Sequence, residues 1–537
     1  MSRSTLVLPL AAAACFAQTW VDGSDRFPTA TDSEAGASAA ATSTGTTTTT
    51  GEPWQTVTGT TGPGTTEVFT SSSTSEGPAD VPPEISTFMV VPDTLHEAGT
   101  AEAHAVVSAD VVSLQLRVDG QEVWTGPPSE FAWTFAATSK AASEGTYTLE
   151  LVARDGEGLT ASATAMLWVT LPDTGTERCV FTEDIGAGRL TAAVYADDAL
   201  VVVGALANPS YQATVWRLDP DSCQPQAGYP WQLPQWSPQP LPPTSEAVGL
   251  ALDPDGRMAI AANLGAGLSR QPYLAVLSPQ GALEWEHVGP IGQTYSGVTT
   301  APNRFVVVGE VLVNGMPPRY DGLIESFDAA GMKVWSDILS APLPGDNFPG
   351  DPTIFDEHPR AITWQAESQT LLIVGERQVR EDILSIWTRA FSTRYTANGA
   401  LVSAWTSNGL DADEDGLLAV SNCAETYLAV GWVGGPNGRT PATRWLDPLG
   451  NGDKRRLDTL ADTSMRAVAC DREQKISAVA TTDKDAYIVG FRASDDPFTF
   501  KHLFPQAALT ALDCDSRGFC ASAGLMGNQA WVRVHHP

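Results

Sequence analysis

Basic residues are scarce in this chain. Lys and Arg number 31 against 63 Asp and Glu, a formal charge of −32. So acidic a surface repels phosphate backbones and anionic membrane faces, which argues against nucleic acid as a partner and suits solubility outside a cell. Histidine is thin as well: His96, His104, His287, His358, His502, His535 and His536 are spread along the chain, the last two in its C-terminal tail. No H-E-x-x-H, G-x-S-x-G or Walker pattern occurs, so the common signatures of zinc proteases, α/β-hydrolases and P-loop enzymes are missing. The seven cysteines contain no C-x-x-C pair, which removes the usual zinc and thioredoxin-like readings. The longest apolar run, Leu6 to Ala17, is too short to span a bilayer.

That short run does have a reading. Met1–Thr5 carries one Arg, and Leu6-Val7-Leu8-Pro9-Leu10 leads into Ala11–Ala14. A charged start, an apolar core and small residues make a secretory leader over residues 1–14. Cys15 follows directly. The segment resembles a bacterial lipoprotein signal, which implies a lipid on Cys15, although Ala12 stands where Leu is usual. The rival is ordinary cleavage after Ala17. Residues 15–81 are dominated by Thr, Ser, Gly and Pro, as in Thr42–Thr50 and Ser71–Ser75. Such a stretch buries too little surface to offset its ordering entropy, so a disordered tether is expected, reaching roughly 40 Å. The implied address is the outer face of a bacterial membrane or the cell surface, with the membrane contacted through the lipid anchor only.

From residue 82 to 171 the pattern becomes alternation. In Gly145–Ala153, Tyr147, Leu149, Leu151 and Ala153 fall on one face. Asp155-Gly156-Glu157-Gly158 turns the chain and Leu159–Val169 returns. Ser113–Val118 and Phe131–Phe135 read as further strands. Length and pattern predict a sandwich of about seven strands. The stretch G-T-Y-T-L-E-L-V-A-R-D-G-E-G resembles bacterial immunoglobulin-like domains, which implies a spacer. It contains no Cys, so no inter-sheet disulfide is expected, and Tyr147 is either a corner tyrosine or a core aromatic.

Residues 178–537 repeat. The clearest copy is Ala247–Trp285, with short apolar runs at Ala247–Leu252, Met258–Ala262, Tyr273–Leu277 and Ala282–Trp285, separated by turns such as Asp253-Pro254-Asp255-Gly256. A β-branched run ending in Gly marks the others: Val201–Gly204, Val306–Gly309, Leu372–Gly375 and Leu428–Gly431, with weaker copies at Ile476–Ala480 and Phe519–Gly524. Seven copies start near Leu190, Ala247, Ser296, Arg360, Gly416, Met465 and Ala508. A loose period near 50 residues of four strands each predicts a seven-bladed β-propeller. The last copy shows about three strands, so Cys179–Thr182 is expected to complete it and leave no bare edge. The whole pattern resembles the propeller repeats, of SBBP type, of large secreted and surface bacterial proteins. The fold class expected is therefore all-β: tether, immunoglobulin-like sandwich, propeller.

With Cys15 set aside, six cysteines remain, and export implies that they are oxidised. Cys514 and Cys520 flank a four-residue turn, Cys423 and Cys470 sit in matching hairpins of neighbouring copies, and Cys179 with Cys223 is left by elimination. An acidic or hydroxyl residue recurs before each first strand, as Glu246, Ser296, Glu357, Asp415 and Asp462. These could ring one mouth of the central channel or simply cap strands. Asp411, Asp413 and Asp415 with Gly416 form D-x-D-x-D-G, the opening half of a calcium loop; Asn422 stands where an EF-hand needs Glu, so calcium would bind in a shorter inter-blade loop, and a solvated acidic turn is the plainer reading. Trp285, Trp335 and Trp405 recur at matching points, which points to packing between blades. No catalytic set emerges. The function expected is surface binding or scaffolding of a protein or glycan ligand through a propeller face; the alternative is a polysaccharide hydrolase or lyase using carboxylates at the channel mouth.

Overall fold

A computed structural model describes residues 81–138, 140–186, 188–196, 199–207, 210–233, 244–313, 319–339, 353–380, 386–407, 414–423, 426–434, 439–446, 452–456, 463–470, 475–482, 485–492, 500–515 and 517–536. The leader, Cys15, the tether, Asp411, Asp413 and Asp462 lie outside them. The chain divides into two compact units between Asp173 and Thr174. Among the described residues no helix is long and apolar enough to cross a membrane.

The first unit is a pair of sheets around one core. Ile85–Val91, Gly99–Val107 and Thr134–Ala137 form one. The other runs in the order Thr94–Leu95, Thr160–Val169, Gly145–Asp155, Val111–Val118, Gln121–Gly126. Alternation decides what is inside: Leu149, Leu151 and Ala153 are fully buried and meet Phe88, Leu114 and Leu167. Tyr147 packs against this core, and its hydroxyl donates to Ser143 O at 2.9 Å. That bond ties the tip of the ring to the backbone four residues upstream. One expected strand is shifted: of Phe131–Phe135 only Thr134 and Phe135 are strand, which runs on to Ala137, because the 3₁₀ turn Pro128–Glu130 takes up the chain just before it.

The second unit contains, among the described residues, seven four-stranded antiparallel sheets; in six of them each strand pairs with the next in sequence. Their inner strands are Arg189–Ala196, Ser245–Leu252, Gln293–Ala301, Thr353–Gln365, Asp415–Cys423, Ser464–Cys470 and Ala507–Cys514. We number the sheets one to seven in that order. In sheet two the remaining strands are Met258–Leu264, Gln271–Leu277 and Leu283–Val288, close to the four apolar runs expected there. The turn between the first two is built by Asp253, whose Oδ1 accepts from Asp255 N at 3.0 Å and Arg257 N at 2.9 Å while Gly256 takes φ +78°. Sheet seven takes its outer strand from the start of the unit: Glu177–Asp184 pairs with Gln529–His535, so the ring closes as the bare-edge argument required. Thr510 Oγ1 of sheet seven donates to Leu190 O of sheet one at 2.6 Å, and Tyr195 N of sheet one donates to Asp513 at 2.7 Å. A closed ring of radially packed sheets is a β-propeller.

One irregularity repeats in all seven sheets. Each inner strand carries a β-bulge against its second strand, at Thr191, Val248, Ser296, Arg360, Leu418, Arg466 and Thr510. The bulge adds a residue and bends the strand. It also explains the Gly that ends each β-branched run. At Gly309 and Gly375 a Cβ would overlap the carbonyl oxygens of Thr294 and His358, two residues before the bulge. Where the bulged residue has a hydroxyl it joins two sheets. Thr191 Oγ1 donates to Val203 O or to Ala247 O of the next sheet, Ser296 Oγ to Val308 O or Pro359 O, and Thr510 Oγ1 to Ala523 O or Leu190 O.

The outer rim is fastened by the recurrent tryptophans. Trp285 of sheet two donates its indole N–H to Ala329 O in the outer hairpin of sheet three at 3.2 Å, and Trp335 does the same to Ala397 O of sheet four at 3.0 Å. Each ring lies over the turn glycine, Gly331 or Gly399. Trp405 lies under the Arg444 guanidinium of sheet five at 4.3 Å. Among the described residues three disulfides join Cys179 to Cys223, Cys423 to Cys470 and Cys514 to Cys520, the last expected from its turn and the other two by elimination. The first ties the closing strand to sheet one, and the second ties the inner strands of sheets five and six.

Candidate functional site

The residues expected to ring a channel mouth do not share one level. Counted from the bulge, Ser296 is the bulged residue itself, Glu246 lies two before it, and Glu357 and Asp415 three before. Strand starts vary in length from sheet to sheet, so equal distance from a turn does not give equal register. Nor do these side chains face an open mouth together. Glu246 pairs with Arg189 of the preceding sheet. Ser296 bonds carbonyls. Asp415 accepts from Ala390 N at 2.8 Å and from the Ser407 hydroxyl, with Arg444 Nη2 at 3.5 Å. Ala390 belongs to the third strand of sheet four, Ile386–Thr396. The same device recurs at Ser245, which accepts from Ala213 N of sheet one, and at Asp356, which accepts from Tyr320 N of sheet three. The recurrent acid or hydroxyl is therefore a fastener between successive sheets. Asp415 has both carboxylate oxygens engaged and a guanidinium beside it, a setting that competes with a calcium ion. Among the described residues no group of three or more His, Cys, Asp and Glu side chains is placed to hold a metal.

A different set converges instead, at the end of the ring where the inner strands begin. The residue directly after the run-ending Gly is Glu310 in sheet three and Glu376 in sheet four. Register puts Glu310 opposite Thr294, and Glu376 opposite His358. His358 Nδ1 meets Glu310 Oε1 at 2.8 Å. Arg360, the bulged residue of sheet four, donates through Nε at 3.1 Å and Nη2 at 3.0 Å to Glu376 Oε2, and its Nη1 lies 3.6 Å from Glu310. Glu376 Oε1 accepts from the Trp432 indole of sheet five at 2.7 Å, and Arg439 covers the same indole at 4.0 Å. Burial would raise the Glu376 carboxyl, but Arg360, the Trp432 N–H and Arg439 outweigh it and hold it below the usual range. One step deeper, Glu357 and Arg377 form a fully buried pair at 2.6 Å, with Arg377 also donating to Thr406 at 2.8 Å. Burial pushes the Glu357 carboxyl up to about 7 against the pull of Arg377, and Asp321 adds to the rise.

Among the described residues this network lies on sheets three to five. The position after the run-ending residue holds Ala205 in sheet one and Leu525 in sheet seven, where no charge is available. The network's outer members are half-exposed: the Arg360 side chain is 37% accessible, against 18% for His358. Such an arrangement offers a fixed cation edge and an imidazole Nε2 beside two held carboxylates, which suits recognition of polar groups. The sequence did carry a signal for it, the doublets Gly309-Glu310 and Gly375-Glu376-Arg377, each after a β-branched run.

No protein-family model and no curated protein matches the chain. Solved structures that are similar include the WD40 β-propeller domain of Doa1, at TM-score 0.41 and 10% identity, covering 67% of this chain and 97% of that one. The Dos1 propeller matches at TM-score 0.40 and 9% identity over 67% of this chain and 95% of its own length. A quinoprotein alcohol dehydrogenase-like protein from Bacteroides thetaiotaomicron matches at TM-score 0.32 and 11% identity, covering 81% of this chain and 88% of that one. The propeller assignment rests on the closed ring of sheets described above.

Proposed function

We propose that this chain is an exported binding protein: a seven-bladed propeller behind an immunoglobulin-like spacer, held by a lipid on Cys15 and a tether to the outer face of a bacterial membrane. It engages a protein or glycan ligand through the end of the ring where the inner strands begin. The observation that carries the reading is the Glu310–His358–Arg360–Glu376 network, concentrated on sheets three to five. Its carboxylates are each held by a protein cation or indole, as in a rigid recognition surface; an acid–base pair for polysaccharide cleavage needs a carboxyl left for substrate. A glycan and protein-ligand array on the propeller unit tests this. Binding that is lost in the His358→Ala variant supports the reading, and an array with no saturable ligand for the folded wild type removes it. Mass spectrometry of the mature N-terminus tests the anchor: a lipidated Cys15 is expected, and an unmodified terminus at Gln18 contradicts it.

A further inference from the structure

At the same end of the ring, between sheets one and two, lies a cleft of about 290 Å³. This is at the small end of the range for ligand pockets, roughly 300–1,000 Å³. Arg189 and Tyr211 of sheet one form one wall; Thr244, Ser245 and Glu246 enter from the start of sheet two; Arg270 closes it from the connection after Met258–Leu264. Three features set it apart from an ordinary groove. The Arg270 guanidinium has no side-chain partner among the described residues, and the Arg189 partner is Glu246, met through Nε. Among the described residues the Thr244 hydroxyl is buried without a hydrogen-bond partner, a group that a folded protein normally satisfies. Tyr211, 41% exposed, adds an aromatic ring to the lining.

We infer that this cleft binds the carboxylate of a uronic-acid residue from an acidic polysaccharide. Two guanidiniums against one carboxylate leave the wall with one net positive charge, in a chain whose total is −32. One positive charge matches a monoanion. A guanidinium fork matches a planar carboxylate through two parallel N–H···O bonds. The Thr244 hydroxyl and the free lone pairs of Glu246 suit sugar hydroxyls, and the Tyr211 ring can cover the apolar C–H face of a pyranose. None of this involves sheets three to five, so the inference stands apart from the ligand reading above.

Calorimetric titration of the full chain with glucuronate, glucose, glucose 6-sulfate and inorganic phosphate is the test. Glucuronate is expected to bind with a Kd on the order of 0.1–1 mM, and glucose at least tenfold more weakly. Arg270→Ala should weaken glucuronate tenfold or more, Arg270→Lys should restore part of that, and Thr244→Val should cost several-fold. Glucose binding as well as glucuronate, sulfate or phosphate ester binding as tightly, no saturable glucuronate binding, or indifference to both Arg270→Ala and Thr244→Val would each overturn the inference. Glucuronate binding that survives an empty ligand array removes only the earlier reading; the converse removes only this one.

Discussion

The seam between sheets seven and one and the seam between sheets three and four solve one packing problem with different chemistry. At the first, the bulged Thr510 sends its hydroxyl to Leu190 O, and the neighbouring positions are Ala508 and Leu525. At the second, Ser296 makes the matching bond to Pro359 O, but the next bulge holds Arg360 and the positions around it hold Glu310, His358 and Glu376. The bulge is thus a slot that the fold requires and whose side chain it leaves open. A short hydroxyl makes it a fastener. A long guanidinium reaches out of it and gathers carboxylates from two sheets. Function in a repeated fold can arise by replacing a fastener, because backbone pairing in the remaining strands keeps the ring closed.

The largest expected effect lies beneath the charged sector. Arg377→Ala leaves Glu357 buried without its cation, which should cost about 3–5 kcal/mol and lower the unfolding midpoint sharply. Replacing Arg377 with Met should cost less. Next comes the seam at the ring closure: Cys179→Ser with Cys223→Ser frees the closing strand and should cost about 2–4 kcal/mol, seen in denaturant unfolding without reductant. If this double variant unfolds like the wild type, the closing strand is held by pairing alone.

The pH dependence separates the two seams further. Glu357 holds its proton up to about pH 7 in the fold against an ordinary value of 4.5. The folded state therefore binds that proton more tightly than the unfolded chain. Its contribution is fully present below about pH 4.5 and is lost as pH rises through about 7, with a slope of at most about 1.4 kcal/mol per pH unit. Glu357→Gln should flatten that window in a stability-versus-pH series, and an unchanged slope would contradict the assignment. The smallest effect is at the hydroxyl fastener: Thr510→Val leaves Leu190 O with one donor fewer and should cost about 1 kcal/mol, measured by thermal unfolding.

Much of this is legible in the amino-acid sequence. Alternation placed Leu149, Leu151 and Ala153 inside, because a strand's period of two sorts its faces without tertiary help. The Asp253–Gly256 turn and its relatives delimited the strands, since only certain residues tolerate those backbone angles. Cys514 and Cys520 could be paired because a hairpin fixes their opposition. Register was the part that stayed hidden. A bulge shifts pairing by one residue, and nothing in a run such as Ser296–Ala301 marks where it sits, so Glu246, Ser296 and Glu357 were expected on one level when they lie on three. The same shift concealed Arg360, whose neighbours in sequence are not its neighbours on the sheet. Phe131–Trp133 stayed outside the strand for a simpler reason: apolar alternation was present, but Pro127 and Pro128 set a 3₁₀ turn that delays the strand to Thr134.

Arg360 bridges Glu310 and Glu376 from the rim of the charged sector, where its side chain is partly exposed. The deciding measurement is the affinity of Arg360→Ala for the strongest ligand found with the wild-type propeller, taken alongside its melting temperature. A tenfold or greater loss, about 1.4 kcal/mol or more, in a variant that still unfolds cooperatively is the result expected, with a melting temperature lowered because Glu376 loses its guanidinium partner. Undiminished affinity in a variant that folds normally would contradict the charged sector as the binding surface.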